Sequence, residues 1–383
     1  MDAFRLHQHL IGQQGSRRSL NTPVLAIDLE VMEANIAAMA AFAGRHGRKL
    51  RPHSKTHKSP QIARRQIEAG ALGVCCAKLG EAEAMVEAGI AGVLITSPVV
   101  TRQGIERLVA LGQRAATGPG GLMQTVDNPA NIAALQAAAA EAGTALDLVL
   151  DIDPGMHRTG VSDDDQVVRL ARQIADSRHL RFAGVQFYSG RLQHVEDFAE
   201  RRNAVEAETA RLKRLVEELR KAGLPPGIVT GGGTGTHAID AALGVFSELQ
   251  CGSYIFMDAQ YEAVDLRGDN SRPFGQSLFV DTTIISANTP GMATADAGLK
   301  AFATDGPMPT IARGAPEGSS YRFFGDEYGA VSLPPGQALK IGDWLSCQPP
   351  HCDPTVNLYD AYHVVQGDTL IDIWTIAARG LSR

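Results

Sequence analysis

The sequence predicts an α/β fold in which a (β/α)8 TIM-like barrel is followed by an all-β domain. Between about residues 22 and 255, short apolar runs alternate with helical patterns, as is typical of parallel strands joined by helical crossovers. About eight such units favour a closed barrel over an open sheet. After residue 265, apolar runs separated by turn residues predict strands. We therefore place the barrel at 22–265 and a β domain at 266–383, and expect residues 1–21 to pack against the β domain.

Apolar periodicity predicts the individual barrel elements. The first strand is predicted at 24–28 (VLAID), and the helix after it places Met32 and Ile36 on one face. The longest predicted helix lies within 196–222 and ends before Gly223. Further strands are predicted at 72–76, 92–96, 122–126, 146–152, 182–188, 227–231 and 247–251.

Composition excludes several classes of function. The 383 residues are 44% hydrophobic and carry a formal charge of −6, which argues against a general nucleic-acid binder because such proteins are usually basic. No apolar run approaches the roughly 20 residues that cross a bilayer, and the first 14 residues lack the apolar stretch of a signal peptide. The five cysteines form no close C-x-x-C pair, which favours reduced thiols. We expect a cytoplasmic protein without membrane partners.

The segment 51–58 (RPHSKTHK) concentrates basic side chains in one place. If it is extended, alternate residues such as His53 and Lys55 share one face. In a barrel, that face can point toward the mouth where active sites lie. Neighbouring cations lower the pKa of a lysine, and a lowered pKa suits a Schiff-base lysine. Lys55 is the candidate, because Lys58 has the opposite parity. A solvated basic loop is the alternative.

A glycine-rich turn at 231–236 (GGGTGT) directly follows a predicted strand. Successive glycines let backbone N–H groups approach an anion closely, and threonines add hydroxyl donors. A helix that begins near His237 would add its positive end. A second turn at 251–254 (CGSY) could close over the same phosphate. The loop matches neither the dinucleotide fingerprint nor the P-loop, and a structural tight turn is the alternative.

His351 and Asp353 form an H-x-D pair in the predicted β domain. In an extended segment these two side chains face the same way, and Cys352 faces opposite. An imidazole and a carboxylate suit manganese, magnesium or zinc. Two protein ligands leave positions for water and substrate, which suits a catalytic metal. On spacing alone, a surface loop is the alternative.

Together these segments resemble the D-threonine aldolase family, within the alanine-racemase-like (fold type III) group of pyridoxal-phosphate enzymes. The resemblance runs from about Thr22 to the C-terminus. It is carried by TPVLAIDL, LRPHSKTHK, GVCCAKLGEAEAM, DIDPGMHRTGV, TGGGTGT, ELQCGSYIFMD, DAGLK, PPHCDPTVNLYD and IAARG. The resemblance implies a barrel that binds pyridoxal 5'-phosphate, a C-terminal β domain that carries the metal ligands, and a homodimer with each active site near the partner.

The resemblance also implies roles for individual residues. Lys55 takes the Schiff-base role, Arg158 contacts the ring oxygen of the cofactor, and Tyr188 lies beside the pyridine ring. Arg158 could instead pair with Asp151 or Asp153 on the preceding strand. The remaining residues are the candidate base His194, the phosphate-binding Gly232, Gly233, Thr234, Gly252, Ser253 and Tyr254, and the metal ligands His351 and Asp353.

The implied activity is cleavage of the Cα–Cβ bond of a β-hydroxy-D-amino acid to glycine and an aldehyde, with Mn²⁺, Mg²⁺ or Zn²⁺ on the β-hydroxyl. The alternatives within the family are a D-serine or 3-hydroxy-D-aspartate dehydratase and a 3-hydroxy-D-aspartate aldolase. Asp353 favours an aldolase, because the dehydratase branch tends to carry cysteine there. A cofactor carrier without turnover and a structural barrel without cofactor are alternatives of other classes.

The sequence departs from the family pattern at two places. Cys352 stands where an aliphatic residue is expected. The segment 325–329 (GDEYG) carries tyrosine where histidine is common, so Asp326 is left out of the ligand set.

Overall fold

The computed structural model describes residues 3–115 and 121–383, and in the first two thirds of the chain short strands alternate with helices. The elements of this region are α1 (Ala3–His7), β1 (Val24–Asp28), α2 (Leu29–Arg45), β2 (Lys49–Leu50), α3 (Pro60–Glu68), β3 (Cys75–Cys76), α4 (Leu79–Glu87), β4 (Val93–Ile95), α5 (Arg102–Ala115), β5 (Leu122–Val126), α6 (Pro129–Glu141), β6 (Leu146–Asp151), α7 (Asp164–Ala175), β7 (Leu180–Phe187), α8 (Phe198–Lys221), β8 (Ile228–Gly231), α9 (His237–Leu243), β9 (Glu248–Leu249) and α10 (Ala259–Glu262).

Strands β2 to β9 form a parallel sheet that closes on itself. From β3 to β9 each strand pairs with the next along the chain, and β9 pairs with β2. The gap between β2 and β3 is bridged by a parallel pairing of His53 with Cys75. The backbone N–H of Leu72 also donates to the carbonyl of Leu50 at 2.8 Å. The predicted (β/α)8 barrel is confirmed.

Helices cover the outside of the barrel because each one carries an apolar stripe. In α7, the buried side chains Val167, Leu170 and Ile174 recur at helical spacing. The Asp163 side chain caps this helix by accepting from the N–H of Asp165 at 3.0 Å. All residues of β4 and β5 are buried, as expected for strands covered on both faces.

The C-terminal third forms a second sheet, which confirms the predicted all-β domain, and most of its strand pairs are antiparallel. Its elements are β10 (Leu278–Thr289), β11 (Met292–Ala295), β12 (Thr310–Arg313), β13 (Ser320–Phe323), β14 (Gly329–Ser332), β15 (Trp344–Gln348), α11 (Cys352–Val356), β16 (Ala361–Gln366) and β17 (Thr369–Thr375). The sheet order is β13-β14-β11-β10-β1-β16-β17, and β15 pairs with both β10 and β12.

The prediction that residues 24–28 form a barrel strand is wrong, because β1 belongs to the second sheet. It pairs antiparallel with β10, where Val24 faces Asp281, and parallel with β16. All five residues of β1 are buried, which suits the centre of either sheet, so the pattern alone cannot assign it. The first barrel strand is β2, where Lys49 is exposed and a basic segment follows Leu50, so the sequence shows no apolar run there.

The N-terminal segment lies against the second sheet in the part that the structure describes, residues 3–21. The Arg17 guanidinium donates to both carboxylate oxygens of Asp281, at 2.7 and 2.9 Å, and to the Ser346 hydroxyl at 3.0 Å. Both side chains of this ion pair are completely buried. The backbone N–H of Gly12 donates to the carbonyl of Leu370 at 2.8 Å. This segment is therefore an integral part of the β domain.

All five cysteines are free thiols and are buried. Over residues 3–115 and 121–383, the helices are too short or too polar to span a membrane.

Candidate active site

Lys55 lies at the carboxyl end of the first barrel strand, in the short 3-10 turn Ser54–Thr56. The prediction from alternating residues assumed an extended backbone, but the backbone at Lys55 is not extended. The Ser54 hydroxyl donates to the carbonyl of Cys75 at 2.9 Å, which ties the turn to β3. The backbone N–H of Lys55 donates to Nδ1 of His53 at 3.4 Å. The turn still directs the Lys55 amine toward the barrel mouth.

A cavity of about 280 Å³ opens at this mouth. Its walls include Lys55, Arg158, Tyr188 and Gln250. These residues lie just beyond the carboxyl ends of four different strands, which is where active sites of such barrels are found. The structure therefore brings three of the predicted cofactor-binding residues into one space.

The Lys55 amine donates a hydrogen bond to Oδ1 of Asp353. Burial opposes the charged amine, but the negative charge of Asp353 outweighs it and raises the pKa of Lys55 above its ordinary value. The prediction that neighbouring cations lower this pKa is wrong, because the nearest charge is a carboxylate. Burial and the Lys55 charge lower the pKa of His53 to about 3, so that ring is neutral. Lys58 is buried and paired with Glu81 at 2.5 Å.

Arg158 and Tyr188 lie against each other on one side of the cavity. The guanidinium carbon of Arg158 is 5.7 Å from the centre of the Tyr188 ring. The alternative partners of Arg158 are engaged elsewhere: Asp151 accepts from Thr159 and Gln186. Asp153 accepts from backbone N–H groups of the turn that follows β6. Arg158 is exposed and can therefore reach a ligand.

The glycine-rich turn begins at the end of β8. Gly232 has a φ of 68°, and a Cβ there would lie 2.5 Å from Oδ2 of Asp240, so only glycine fits. The N–H of Gly233 donates to the Thr236 hydroxyl at 3.2 Å, and that hydroxyl donates to Asp240 at 2.6 Å. The Gly233 N–H is thus used inside the turn, which reduces the number of donors that face outward.

The two predicted phosphate-binding turns meet, because the N–H of Tyr254 donates to the Thr234 hydroxyl at 3.0 Å. Ser253 opens the second turn and is buried. A Cβ on Gly252 would lie 2.7 Å from the Thr56 hydroxyl oxygen, next to Lys55. That buried hydroxyl has no hydrogen-bond partner among the residues that the structure describes. An unpartnered hydroxyl beside a glycine fits an oxygen-rich ligand such as a phosphate.

His351 and Asp353 come from the β domain, and Asp353 reaches the barrel mouth through its contact with Lys55. Nε2 of His351 is 3.9 Å from Oδ2 of Asp353. The neighbouring charges of Lys55 and His351 outweigh burial and lower the pKa of Asp353 well below its usual range. A carboxylate kept ionised beside an imidazole is a donor set that fits a divalent cation. Within the described ranges, no cluster of three or more such side chains is arranged around a metal position.

The expectation that residues 351–353 are extended is wrong beyond His351. Cys352 begins α11, with His351 as the residue before the helix. The buried Cys352 thiol donates to Oδ2 of Asp353 at 3.3 Å rather than facing away. Burial raises the pKa of this thiol well above its ordinary value, so it stays protonated. The N–H of Cys352 donates to the buried carboxylate of Asp258 at 2.8 Å, which fixes the start of the helix.

His194 follows the short turn Gly190–Leu192 and is exposed. Its ring lies against that of Tyr261, with 4.5 Å between ring centres. Partial burial and the nearby His351 lower the pKa of His194. The ring is therefore held in place as a neutral imidazole near the His351–Asp353 pair.

Three residues with a part in this site were missed from the sequence. Asp305 accepts from Nδ1 of His351 at 2.9 Å. Gln193 accepts from the N–H of Gly235 at 3.0 Å. Asp258 holds Cys352, as described above. Only Asp258 carried a usable signal, since it lies in the ELQCGSYIFMD stretch that was noted for its resemblance.

Comparisons with known proteins agree with this architecture. Residues 27–260 match the family model described as alanine racemase, N-terminal domain, and residues 277–365 match a putative serine dehydratase domain. The chain is 42% identical to a D-threonine aldolase from Arthrobacter sp, over 95% of this chain and 94% of that protein. It is 38% identical to a 3-hydroxy-D-aspartate aldolase from Paracoccus denitrificans, over 94% of this chain and 92% of that protein.

A solved structure shares the whole arrangement. The crystal structure of D-threonine aldolase from Filomicrobium marinum superposes with a TM-score of 0.89 at 38% identity, covering 95% of this chain and 96% of that one. The match spans both the barrel and the second sheet. The chain therefore belongs to the D-threonine aldolase family of pyridoxal-phosphate enzymes, which share the alanine-racemase fold.

Proposed function

We propose that this protein is a D-threonine aldolase-type lyase that cleaves β-hydroxy-D-amino acids between Cα and Cβ, giving glycine and an aldehyde. The observation that carries the proposal is the contact of Lys55, in the wall of the cavity at the barrel mouth, with the His351–Asp353 pair. Asp353 contacts the Lys55 amine and lies 3.9 Å from His351. Lys55 could thus bind a carbonyl while the His351–Asp353 pair binds a cation, and the two would act on neighbouring atoms of one small substrate.

The residues of the barrel wall would hold pyridoxal phosphate. Lys55 would carry its aldehyde carbon, Arg158 and Tyr188 would flank its ring, and the turns containing Gly232, Gly233, Thr234, Gly252, Ser253 and Tyr254 would hold its phosphate. When bound, the cofactor supplies an electron sink for the charge that develops at Cα. We therefore propose that the barrel built on β2 to β9 holds the cofactor, and that the β domain, which comprises residues 266–383 together with β1, holds the metal.

His351 and Asp353 would hold a divalent cation, for which Mn²⁺ or Mg²⁺ is our first choice and Zn²⁺ the second. Such a cation supplies Lewis acidity that lowers the pKa of a hydroxyl group. His194 is the proposed acceptor of the β-hydroxyl proton, because it is neutral, exposed and fixed against Tyr261. Loss of that proton pushes electrons toward Cα and breaks the Cα–Cβ bond.

We further propose a homodimer in the cytoplasm. The dimer is implied by the family, and five buried free thiols suit a reducing compartment.

The direct test is product analysis with D-threonine, L-threonine, D-serine and D-3-hydroxyaspartate, each with and without Mn²⁺. We expect glycine and acetaldehyde from D-threonine only when Mn²⁺ is present. Lys55→Ala should abolish the visible absorbance of the bound cofactor and all turnover, whereas Lys49→Ala, an exposed lysine of β2, should leave both unchanged. Ammonia and a keto acid as the products would overturn the aldolase in favour of a dehydratase.

A second candidate substrate is 3-hydroxy-D-aspartate. The similarity to the Paracoccus denitrificans enzyme favours it, at 38% identity over nearly the full length. The ratio of kcat/KM for D-threonine and D-3-hydroxyaspartate decides between the two. Both substrates leave the reaction class unchanged.

A further inference from the structure

We propose that Asp305 is a positioning residue of the metal centre, which fixes the tautomer and the orientation of His351. The inference rests on the proposed function, because it takes His351 as a metal ligand. Oδ2 of Asp305 lies 2.9 Å from Nδ1 of His351. The two residues are 46 positions apart, so the chain folds specifically to bring them together.

The contact determines which nitrogen of His351 is free. A carboxylate can only accept, so Nδ1 carries the hydrogen and donates it to Asp305. Nε2 is then left with its lone pair, and it is the nitrogen nearer to Asp353, at 3.9 Å from Oδ2. Histidines that bind metals commonly donate their other ring N–H to a carboxylate, which orients the ring and increases its basicity. The geometry therefore prepares Nε2 and Asp353 to bind one cation.

Two sets of hydrogen bonds fix the position of the Asp305 loop relative to the His351 segment. Gln260 donates through its backbone N–H to the carbonyl of Pro350 at 3.3 Å and through Nε2 to the carbonyl of Asp305 at 3.2 Å. Thr355 accepts from the N–H of Ala303 at 3.0 Å and donates to the carbonyl of His351 at 2.7 Å. The loop that carries Asp305 is thus tied to both sides of the His351 segment.

Gly306 allows this close approach of the two segments. A Cβ at this position would lie 2.8 Å from Nε2 of Gln260 and 3.3 Å from Cβ of Pro350. The Asp305 side chain itself is 55% exposed, whereas His351 is 22% exposed. Because Asp305 is largely in solvent, its removal should disturb the metal site far more than the fold.

The test measures Mn²⁺ binding directly on cofactor-loaded, metal-stripped enzyme, by the electron paramagnetic resonance signal of free Mn²⁺. We expect Asp305→Ala to raise the Kd 10- to 100-fold, about the loss typical of such outer-shell partners. Asp305→Asn, whose amide oxygen can still accept from Nδ1, should give an intermediate Kd. Asp360→Asn removes an exposed carboxylate that pairs with Arg379 instead, and it should bind Mn²⁺ as the wild type does.

Kinetics give a second readout. In Asp305→Ala the Mn²⁺ concentration for half-maximal activity should rise together with the Kd, while kcat at saturating Mn²⁺ changes less. A Kd within twofold of wild type would overturn the inference and leave the proposed aldolase standing. If the wild type itself binds no Mn²⁺, Mg²⁺ or Zn²⁺, both this inference and the metal part of the proposed function fail. Equal cofactor absorbance in all variants shows that each one is folded.

Discussion

Asp240 is a buried carboxyl group directly beneath the glycine-rich turn. Its Oδ2 accepts from the Thr236 hydroxyl at 2.6 Å. Burial raises the pKa of Asp240 to about 7, and the negative charge of Glu208 adds to this effect. In the unfolded chain the same carboxyl group would titrate near its ordinary value of 3.8. The turn therefore packs over a group that is neutral in mildly acidic solution and becomes charged above neutrality.

The pH dependence of stability follows from this difference. Between about pH 4 and 7 the folded state keeps a proton that the unfolded state has lost. The contribution of Asp240 is thus fully present below pH 4 and is lost as the pH rises through 7, at up to about 1.4 kcal/mol per pH unit. Asp240→Asn should equal the wild type near pH 3 in urea unfolding and exceed it increasingly between pH 4 and 7, with the full difference present at pH 8. The exposed Asp176→Asn should show no such pH-dependent difference in stability. A constant offset between Asp240→Asn and the wild type would contradict the prediction.

At the scale of single residues, the sequence indicates which residues could form a site, but it does not indicate which distant residues contact them. The basic segment around Lys55 and the H-x-D pair both pointed to a site from their residue types alone. The contact between Lys55 and Asp353 joins residues 298 positions apart. It reverses the pKa shift that the local sequence predicts, because a pKa depends on the nearest charges in space.

Among the elements, the turn Gly190–Leu192 and the glycine-rich turn form one unit through Gln193. Its Oε1 accepts from the N–H of Gly235, and its Nε2 donates to the Ser189 carbonyl at 3.0 Å and to the Thr236 hydroxyl at 3.1 Å. The Gln193 side chain is buried. Since His194 is the next residue, this amide links the proposed base to the proposed phosphate site.

Replacing Gln193 by Ala should therefore lower the stability of the fold and weaken cofactor binding. The buried N–H of Gly235 would lose its hydrogen-bond acceptor, which lowers the free energy of unfolding by about 1–3 kcal/mol. The Kd for pyridoxal phosphate, measured by fluorescence titration, should rise. Gln113→Ala removes an exposed glutamine that donates to the Ala142 carbonyl, and it should change neither quantity. An unchanged Kd for pyridoxal phosphate in Gln193→Ala would show that the two turns do not act together in cofactor binding.

Strands were predictable where the sequence carries a strand pattern, and they were missed where it carries none. The sequence predicted β6 and β7 within one or two residues, since each has at least six residues with strand character. Strand β2 consists of an exposed lysine and a leucine and runs directly into the basic segment 51–58, so no apolar pattern marks it. The segment 352–356 turns into a helix because Asp258, almost a hundred residues earlier, accepts from its first N–H. That partner is invisible in the local sequence.

For the whole molecule, the buried pair of Arg17 and Asp281 joins the N-terminal segment to the second sheet. Both side chains have no exposed surface. Removing one partner leaves an uncompensated buried charge, which typically costs about 3–5 kcal/mol. Arg17→Ala should lower the free energy of unfolding by this amount in urea titrations.

The double variant Arg17→Met/Asp281→Leu provides the matched comparison. It removes both charges and restores apolar volume, so it should be more stable than Arg17→Ala. The exposed pair of Arg18 and Asp368 serves as the control, since Arg18→Ala should cost at most about 1 kcal/mol. If Arg17→Ala costs no more than Arg18→Ala, the pair does not anchor the segment.

The position of β1 between β10 and β16 has a consequence for biosynthesis. Its residues are synthesised before the barrel strands, but its neighbour β16 is synthesised after all of them. The barrel strands, which pair in order of synthesis, can assemble while translation continues. The central strand of the other sheet must wait until β16 has been synthesised. A nascent chain arrested after β9 should therefore protect the barrel amides from exchange and leave those of residues 24–28 open.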